Sequence, residues 1–572
     1  MAADWETRAA EKRQRLHDAI PEDWRLNSEL LSELKTPLEE SDNNVLELGF
    51  CKRSGILSEK ELDITESYNV SELLEALAGG KLTALEVTTA FCKRAAIAHQ
   101  LVFFPLSLYP VFAIHANTEC CKLTCCTEIF FDKALQRAKE LDARRERGEP
   151  LGPFHGLPIS VKDNIQVAGV PATLGLVAFL DDDVSEKNSA VVDIILASGA
   201  VIYCKTNVPQ TMMTVDSHNN VFGRTLNPLN TSLSAGGSSG GEGAIIGFRG
   251  SPLGLGTDVG GSVRFPAACN GLYGFRPTIG RVPGGDLKIC VDPGMRQIKS
   301  CIGPLAGDVD ALNTLMKVVV DYRPWKLDST VVDLPWRDVK LEAGQKLRIG
   351  VMAQDPAFPL HPPIRDSIKE AAEKLIAAGH QVIPLQPSDG LLWEALQTAF
   401  GLFSLDSTGA RIVEEAGEPP IPSRAKLLKA MTFAPWTYLE DVQKLEGLAR
   451  LSALNRKRAE IARVWHAAYT KHDLDAVIGP LMQHTAAPHD EFSGSAYGTI
   501  FNLIDYPACV IPFGRATAKD GETFELKPGQ HASEYNPAKS AGMPCTIQIV
   551  TPTMRDEECL AISKVIDTCL NK

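Results

Sequence analysis

The sequence has no surplus of positive charge. Its 58 Lys and Arg residues are outnumbered by 71 Asp and Glu residues, which leaves a formal net charge of −13. The basic residues are scattered, whereas proteins that bind nucleic acid or anionic membranes concentrate them in patches. The composition therefore predicts neither a nucleic-acid partner nor a membrane partner.

The sequence also lacks the marks of a secreted protein. Its first residues, MAADWETRAAEKRQRLHDAI, are charged throughout, and Leu570–Lys572 form no peroxisomal or retention signal. The 14 cysteines are mostly isolated among apolar residues, as in Val201–Cys204, which is typical of reduced thiols. We therefore expect a cytoplasmic protein without a disulfide framework.

Metal and phosphate motifs are missing as well. The pairs Cys120–Cys121 and Cys125–Cys126 are adjacent cysteines rather than the CxxC spacing of zinc sites, and no GxxxxGK[ST] loop is present. We expect neither a metal ion nor any other cofactor.

Helix and strand patterns alternate along most of the chain. The predicted elements are a helix from Thr83 to Ala95, a helix over 189–196, a strand over 200–204, a strand over 347–352, a helix over 364–375 and a strand over 382–385. This order predicts an α/β fold in which one large sheet is covered by helices on both faces. Residues 1–70 are predicted to form an N-terminal helical arm. Residues 71–572 are predicted to form one catalytic domain, because no linker is long enough to divide the chain.

One segment does not fit this pattern. Residues 101–122, LVFFPLSLYPVFAIHANTECCK, interrupt a charged helical neighbourhood with an apolar run that contains two prolines and is too short to span a membrane comfortably. Without them, AIAHQ would continue directly into LTCCTEIFFDKALQRAKELD. We hypothesise that the segment is a translated intron, and a lid or membrane-contact loop is the alternative.

The stretch from Gly236 to Ser262 is the candidate active site. It reads GGSSGGEGAIIGFRGSPLGLGTDVGGS, in which glycines permit tight turns and leave backbone N–H groups accessible. Ser262 is the candidate nucleophile, and the N–H groups of Val259, Gly260, Gly261 and Ser262 are predicted to converge on the oxyanion of an amide hydrolysis. A phosphate-binding loop is the weaker alternative, since the Walker pattern is absent.

The nucleophile needs a base, and a lysine is the stronger candidate for that role. His155 and His218 are the nearest histidines, and neither lies in a recognisable motif. Lys162 ends the apolar run LPISVK, and burial of a lysine lowers its pKa toward neutrality. An exposed lysine at a strand end remains the alternative interpretation from the residues alone.

Three motifs together resemble the amidase signature family. They are LPISVKDN, GGSSGGEGA and GLGTDVGGSVRFPA, and shorter pieces such as KTNVPQ, LYGFRPT and NLIDYP extend the likeness from about residue 5 to the end of the chain. These pieces resemble the fungal acetamidase type in particular. The resemblance implies a large mixed sheet, hydrolysis of small aliphatic or general amides, and no metal.

The resemblance also implies a role for each site residue. Members use a Ser–cis-Ser–Lys triad, so Ser262 is expected to be the nucleophile, Lys162 the base and Ser238 the bridging serine in a cis peptide. Ser239 is the competing assignment for the bridge. By analogy, Met212 and Met213 line the acyl pocket, with plain core packing as the alternative.

Other functions remain open at this point. The chain could be the amidating subunit of a tRNA-dependent amidotransferase, which shares the signature, although its acidic charge argues against that function. It could also be a catalytically impaired product of a mis-spliced gene. Its oligomeric state is open, with a homodimer as one candidate.

Overall fold

The computed structural model describes residues 5–101, 124–342, 344–433, 437–492, 496–519 and 523–571. The hypothesis about residues 101–122 therefore falls almost entirely outside the described residues. Within these ranges, no helix is long and apolar enough to cross a membrane.

The first half of the chain contains ten helices and nine strands within the described ranges. The helices are α1 (Trp5–Asp18), α2 (Ser28–Leu31), α3 (Phe50–Arg53), α4 (Glu59–Ser67), α5 (Val70–Ala78), α6 (Ala84–Gln100), α7 (Phe131–Glu146), α8 (Ala190–Ala197), α9 (Gly240–Gly247) and α10 (Arg264–Cys269). The strands are β1 (Cys126–Ile129), β2 (Pro158–Lys162), β3 (Val201–Thr206), β4 (His218–Asn219), β5 (Gly223–Arg224), β6 (Leu226–Asn227), β7 (Asn230–Ser234), β8 (Leu253–Asp258) and β9 (Tyr273–Arg276).

The second half adds ten helices and six strands in the same described ranges. The helices are α11 (Val309–Asp321), α12 (Pro362–Ala377), α13 (Leu392–Phe403), α14 (Thr408–Glu415), α15 (Pro422–Phe433), α16 (Glu440–Gln443), α17 (Gly447–His472), α18 (Ala496–Leu503), α19 (Pro537–Ser540) and α20 (Asp556–Asn571). The strands are β10 (Cys301–Ala306), β11 (Arg348–Val351), β12 (Gln381–Pro384), β13 (Ala476–Gly479), β14 (Ala508–Arg515) and β15 (Pro544–Val550).

Local signals placed the predicted elements correctly. Thr83 caps α6 by accepting a hydrogen bond from Glu86 N, and Thr83 N donates one to the Glu86 side chain, which is a capping box. The strand predicted over 200–204 is β3, and the elements predicted after residue 347 are β11, α12 and β12. Each prediction is confirmed to within a few residues at its ends.

One large sheet contains eleven of the described strands. Its order is β1-β3-β2-β8-β10-β9-β14-β15-β13-β11-β12. The pairs β3–β2, β2–β8, β13–β11 and β11–β12 are parallel, and the remaining neighbours are antiparallel. The sheet is therefore mixed, as the resemblance implied.

Both faces of the sheet are buried. Side chains alternate between the faces of a strand, and in β13 Ala476 and Ile478 belong to a larger apolar core while Val477, between them, belongs to a smaller one. The larger core includes residues of α6, α11 and α20, and the smaller core residues of α13, α17 and α18. Helices thus cover the sheet on both sides.

The N-terminal helices α2 to α5 join the larger core rather than standing apart from it. Phe50 of α3 is fully buried there. Helix α1 attaches to the edge of the sheet, because Lys12 forms an ion pair with Glu128 of β1, and Arg13 donates a 2.8 Å hydrogen bond to Val221 O. The boundary at residue 70 stays a prediction.

The interior strand β15 provides a test of this core. Ile549 is fully buried and faces Cys509 of β14 and Ile478 of β13. We expect Ile549→Ala to lower the free energy of unfolding by about 2–5 kcal/mol, because it leaves a cavity among packed side chains. Urea unfolding followed by circular dichroism measures the change.

Val332→Ala is the control, since Val332 is 46% exposed. We expect it to change stability by about 0.5 kcal/mol or less. Equal effects of the two substitutions would contradict the packing of β15 at the centre of the sheet.

Candidate active site

Two neighbouring parallel strands bring the site together. β2 pairs with β8 in the register Ser160 with Gly254 and Val161 with Leu255. Lys162 at the end of β2 therefore lies beside the end of β8, where the loop leading to Ser262 begins. The carboxyl ends of adjacent parallel strands are a common position for ligand sites in α/β proteins.

Lys162 is buried among hydroxyl groups. Its side chain has no exposed surface, and its Nζ lies 2.8 Å from Ser238 Oγ and 2.8 Å from Thr257 Oγ1. Burial lowers the pKa of Lys162 to about 7, against the opposing attraction of Asp258, Glu242 and Asp163. A substantial neutral fraction is thus present near pH 7, and a neutral amine can accept a proton.

The two adjacent serines have different environments. The Gly237–Ser238 peptide is cis, and the Ser238 hydroxyl points to Lys162. Ser239 instead places its Oγ 3.4 Å from Thr257 O and donates its backbone N–H to Ser262 O at 3.2 Å. Only the first of the pair therefore contacts the lysine amine.

Ser262 lies at the end of the loop after β8. Its side chain is 8% exposed, and within the described residues no hydrogen bond joins its hydroxyl to that of Ser238. The backbone bond from Ser239 N fixes the spacing of the two segments. The structure thus brings Lys162 and Ser238 into contact and places Ser262 on the adjacent loop.

Asp258 holds the loop in a tight curl. Its Oδ1 accepts a 2.7 Å hydrogen bond from Gly261 N, and its Oδ2 accepts a 3.2 Å bond from Val263 N. Although burial raises it, the Arg264 guanidinium holds the pKa of Asp258 well below its usual range. A buried carboxylate therefore organises the loop that carries Ser262.

This contact corrects one prediction about the oxyanion donors. The N–H of Gly261 was expected to face the oxyanion together with those of Val259, Gly260 and Ser262, but it bonds to Asp258. Among the described residues, no acceptor is bound to the N–H of Val259, Gly260 or Ser262. These three remain as candidate donors.

Arg264 ties the loop to the C-terminal part of the chain. Its Nη1 donates a 2.6 Å hydrogen bond to Gln548 Oε1 of β15, and its Nη2 donates one of 2.6 Å to Asn502 Oδ1 of α18. Asn502 Nδ2 in turn donates to Asp258 Oδ1 at 2.8 Å. All four side chains are buried.

Sequence reasoning did not assign Thr257, Asp258 or Arg264 to the site. All three lie inside the quoted motif GLGTDVGGSVRFPA, so their closeness to Ser262 in the sequence could have indicated that they belong to the site. Asn502 and Gln548 had no such signal, because only the tertiary fold brings them to the loop.

Glu242 is a second buried acid below the site. Its two carboxylate oxygens accept hydrogen bonds from Ser160 Oγ at 2.6 Å and Thr206 Oγ1 at 2.7 Å. Burial raises the pKa of Glu242 to about 7, although these bonds and the charge of Lys162 oppose the rise. Glu242 is therefore only partly ionised near neutral pH, which weakens its attraction for the ammonium form of Lys162.

The histidines considered from the sequence lie elsewhere. His218 is in β4, where burial and the charge of Arg224 lower its pKa to about 4. Within the described part of the chain, neither His218 nor His155 is hydrogen-bonded to Lys162, Ser238 or Ser262.

One group of side chains has the spacing to bind a metal ion. Ligand atoms of His99, Cys125 and Cys126 lie within 4.8 Å of one another. The hydrogen bond from Cys126 and burial raise the pKa of the Cys125 thiol well above its usual value, which disfavours the thiolate that a metal would bind. This group is separate from the site at Lys162.

A cavity opens beside Ser238. It has a volume of about 190 Å³ and is lined near the site by Ser238, Thr257 and Val259. Met212 and Met213, which were predicted to line an acyl pocket, both contribute to its wall. The cavity is the natural place for the non-reacting part of a substrate.

Comparison with known proteins relates this chain to amidases. The sequence profile of the family described as Amidase matches residues 113–560. An amidase of Gibberella moniliformis is 37% identical over 566 residues, with 98% of each chain covered. An acetamidase of Emericella nidulans is 36% identical and covers 100% of this chain and 99% of its own length.

Comparison with solved structures agrees with the sequence comparison. A solved structure of a fatty acid amide hydrolase superposes with a TM-score of 0.84 at 28% identity, covering 99% of this chain and 95% of that chain.

Gly261 tests the geometry of the loop. It has φ of +117°, and a Cβ at this position would lie 2.2 Å from the Phe265 ring. We expect Gly261→Ala to slow the labelling of Ser262 by a serine-directed fluorophosphonate by about tenfold or more, because both strain and contact displace the loop.

Gly307→Ala is the matched control. Gly307 has no atom within 4 Å of the added Cβ and no positive φ. Its labelling rate should equal that of the unmodified protein. Unchanged labelling in Gly261→Ala would contradict the loop conformation described above.

Proposed function

We propose a catalytic mechanism for this chain, which belongs to the Amidase family and is an amide hydrolase. In this mechanism, Lys162, Ser238 and Ser262 act as a catalytic triad. The observation that carries the proposal is the 2.8 Å contact between the buried Lys162 amine and the Ser238 hydroxyl. The contact supports a proton path because burial leaves the amine partly neutral near pH 7.

The first half of the reaction forms an acyl-enzyme. Ser262 Oγ attacks the amide carbon after rotation of its side chain toward Ser238, its proton passes to Ser238 Oγ, and the Ser238 proton passes to Lys162 Nζ. The tetrahedral intermediate then breaks its C–N bond. Lys162 returns a proton through Ser238 to the leaving nitrogen, which departs as ammonia when the substrate is a primary amide.

The second half releases the acid. Water attacks the ester carbon and gives its proton to the same Ser238–Lys162 path, and that proton returns to Ser262 Oγ as the C–O bond breaks. The three free N–H groups of Val259, Gly260 and Ser262 are the proposed donors to the oxyanion in both halves. Each such donor typically contributes about 3–4 kcal/mol to transition-state stabilisation.

The proposed substrates are carboxamides of small aliphatic or aromatic acids. Relatives named amidase and acetamidase match this chain over nearly its full length, which supports this class. They give no support to an amidotransferase subunit. The connected network around Lys162, Asp258 and Arg264 also argues against a catalytically impaired product.

A cytoplasmic location remains part of the proposal, together with action on small molecules. The oligomeric state stays open, with a homodimer as one candidate.

The triad is tested by single substitutions. We expect Ser262→Ala to abolish ammonia release from a series of aliphatic and aromatic amides, because no other group is proposed to form the acyl-enzyme. Lys162→Ala and Ser238→Ala should lower kcat by about 10³-fold or more, since both interrupt proton transfer. Ammonia release under saturating substrate measures each effect.

Ser239→Ala is the matched control for the bridging serine. Its hydroxyl makes no contact with Lys162, so the variant should keep activity within about tenfold of the unmodified enzyme. Full activity of Ser262→Ala, or a larger loss in Ser239→Ala than in Ser238→Ala, would contradict the assignment.

The pH dependence tests the state of Lys162. The amine accepts a proton only when neutral, and burial lowers its pKa to about 7. We therefore expect kcat/KM to rise with pH through about 7 and then to level off. Below about pH 7, kcat/KM should decrease about tenfold for each pH unit. Circular dichroism over the same range would show that the protein stays folded. A profile that is flat from pH 6 to 10 would count against a lysine base.

A further inference from the structure

The cavity beside the serines contains a cation that the mechanism does not use. Arg424, in α15, lines the wall of this cavity, and its side chain is only 6% exposed. Within the described residues, its guanidinium forms no hydrogen bond and no ion pair. A guanidinium has five N–H donors, and one that lines a cavity without protein acceptors is available to an anionic group there.

The nearest acid does not satisfy Arg424. Glu418 attracts the guanidinium electrostatically but lies beyond ion-pair distance. Its Oε1 accepts hydrogen bonds from Gln210 Nε2 at 2.6 Å and Asn220 Nδ2 at 3.0 Å, and its Oε2 accepts one from Val177 N at 2.9 Å. The carboxylate of Glu418 is thus committed to other donors.

The charges around the cavity favour an anion. A second arginine, Arg296, also lines the wall and is half-buried, and within the described ranges it too forms no hydrogen bond or ion pair. Asp406, the one acid on the wall among the described residues, accepts hydrogen bonds from Asp292 N at 2.9 Å and Thr408 N at 2.9 Å. Its charge is therefore partly offset by backbone N–H groups.

The rest of the cavity wall is mostly apolar, and the cavity itself is large. The apolar residues nearest the serines and along the cavity are Met212, Met213, Ile289, Val291, Leu402 and Phe403. About 190 Å³ is far more than acetamide needs, since roughly 10–15 Å³ on this measure holds one water molecule. The cavity therefore has room for an acyl group much longer than acetyl, in contact with apolar side chains.

We propose that Arg424 binds a carboxylate at the far end of the acyl group, so that the preferred substrates are monoamides of dicarboxylic acids. The inference rests on the proposed function, because the cavity begins at Ser238. Since a primary amide leaves only ammonia on the other side, the group that fills the cavity belongs to the acyl part. Arginine suits this role because its planar N–H groups match the two oxygens of a carboxylate.

The test compares matched pairs of substrates. Succinamate, glutaramate, adipamate and suberamate are each paired with the neutral n-alkanamide of the same number of chain atoms, at constant ionic strength. In the unmodified enzyme, we expect kcat/KM for the best carboxylate substrate to exceed that of its neutral partner by about tenfold or more, the scale of one charge-assisted hydrogen bond.

Substitutions of Arg424 assign this preference to the residue. Arg424→Gln should remove the preference while changing kcat/KM for the neutral amide by less than about threefold, and Arg424→Lys should retain part of it. Arg411→Gln is the matched control, because Arg411 lies on the neighbouring helix α14, is exposed and pairs with Glu415 at 3.3 Å. It should leave both substrates unaffected.

A binding measurement separates this proposal from the proposed function. Glutarate and adipate should bind the Ser262→Ala variant in calorimetry, and the additional Arg424→Gln substitution should weaken that binding about tenfold or more. If Ser262→Ala still hydrolyses amides, the triad is wrong while carboxylate binding stands. Preference for the neutral amide in every pair, or equal loss on both substrates in Arg424→Gln, would overturn the role of Arg424.

Discussion

The site depends on the burial of one amine. Lys162 has no exposed surface, and its Nζ is held between the hydroxyl groups of Ser238 and Thr257. Burial penalises the ammonium form, so the lysine can serve as a base near neutral pH without a histidine. The parallel pairing of β2 with β8 makes this possible, because it inserts Lys162 into the sheet beside the loop that carries Ser262. Two of the three neighbouring acids are constrained: Asp258 is paired with Arg264, and burial raises the pKa of Glu242 to about 7.

Local patterns predicted the elements better than their arrangement. The helix beginning after Thr83 and the strands around 200 and 350 follow from caps and apolar spacing, which act within a few residues. The order of the eleven strands in the large sheet depends on contacts between distant segments. The α/β class was therefore predictable from the sequence, and the strand order was not.

The same division applies to the site. The motifs around Lys162, Ser238 and Ser262 indicated the residues that meet, but not which N–H groups stay free. Gly261 was misassigned as an oxyanion donor because the Asp258 side chain folds back onto it, a contact that glycine content alone does not reveal. The unpaired burial of Arg424 likewise depends on how α15 packs, and its sequence neighbourhood carries no signal of it.

The links from Arg264 to Asn502 and Gln548 have a consequence for synthesis of the chain. Lys162, Ser238 and Ser262 leave the ribosome early, yet the strand that supports their loop is β15, near the end of the chain. A nascent chain that ends before α18 lacks Asn502 and Gln548, the distant partners of the Arg264 guanidinium and the Asp258 carboxylate. Competence for chemistry is therefore coupled to synthesis of α18 and β15, and products truncated before these elements are expected to be inert rather than partially active.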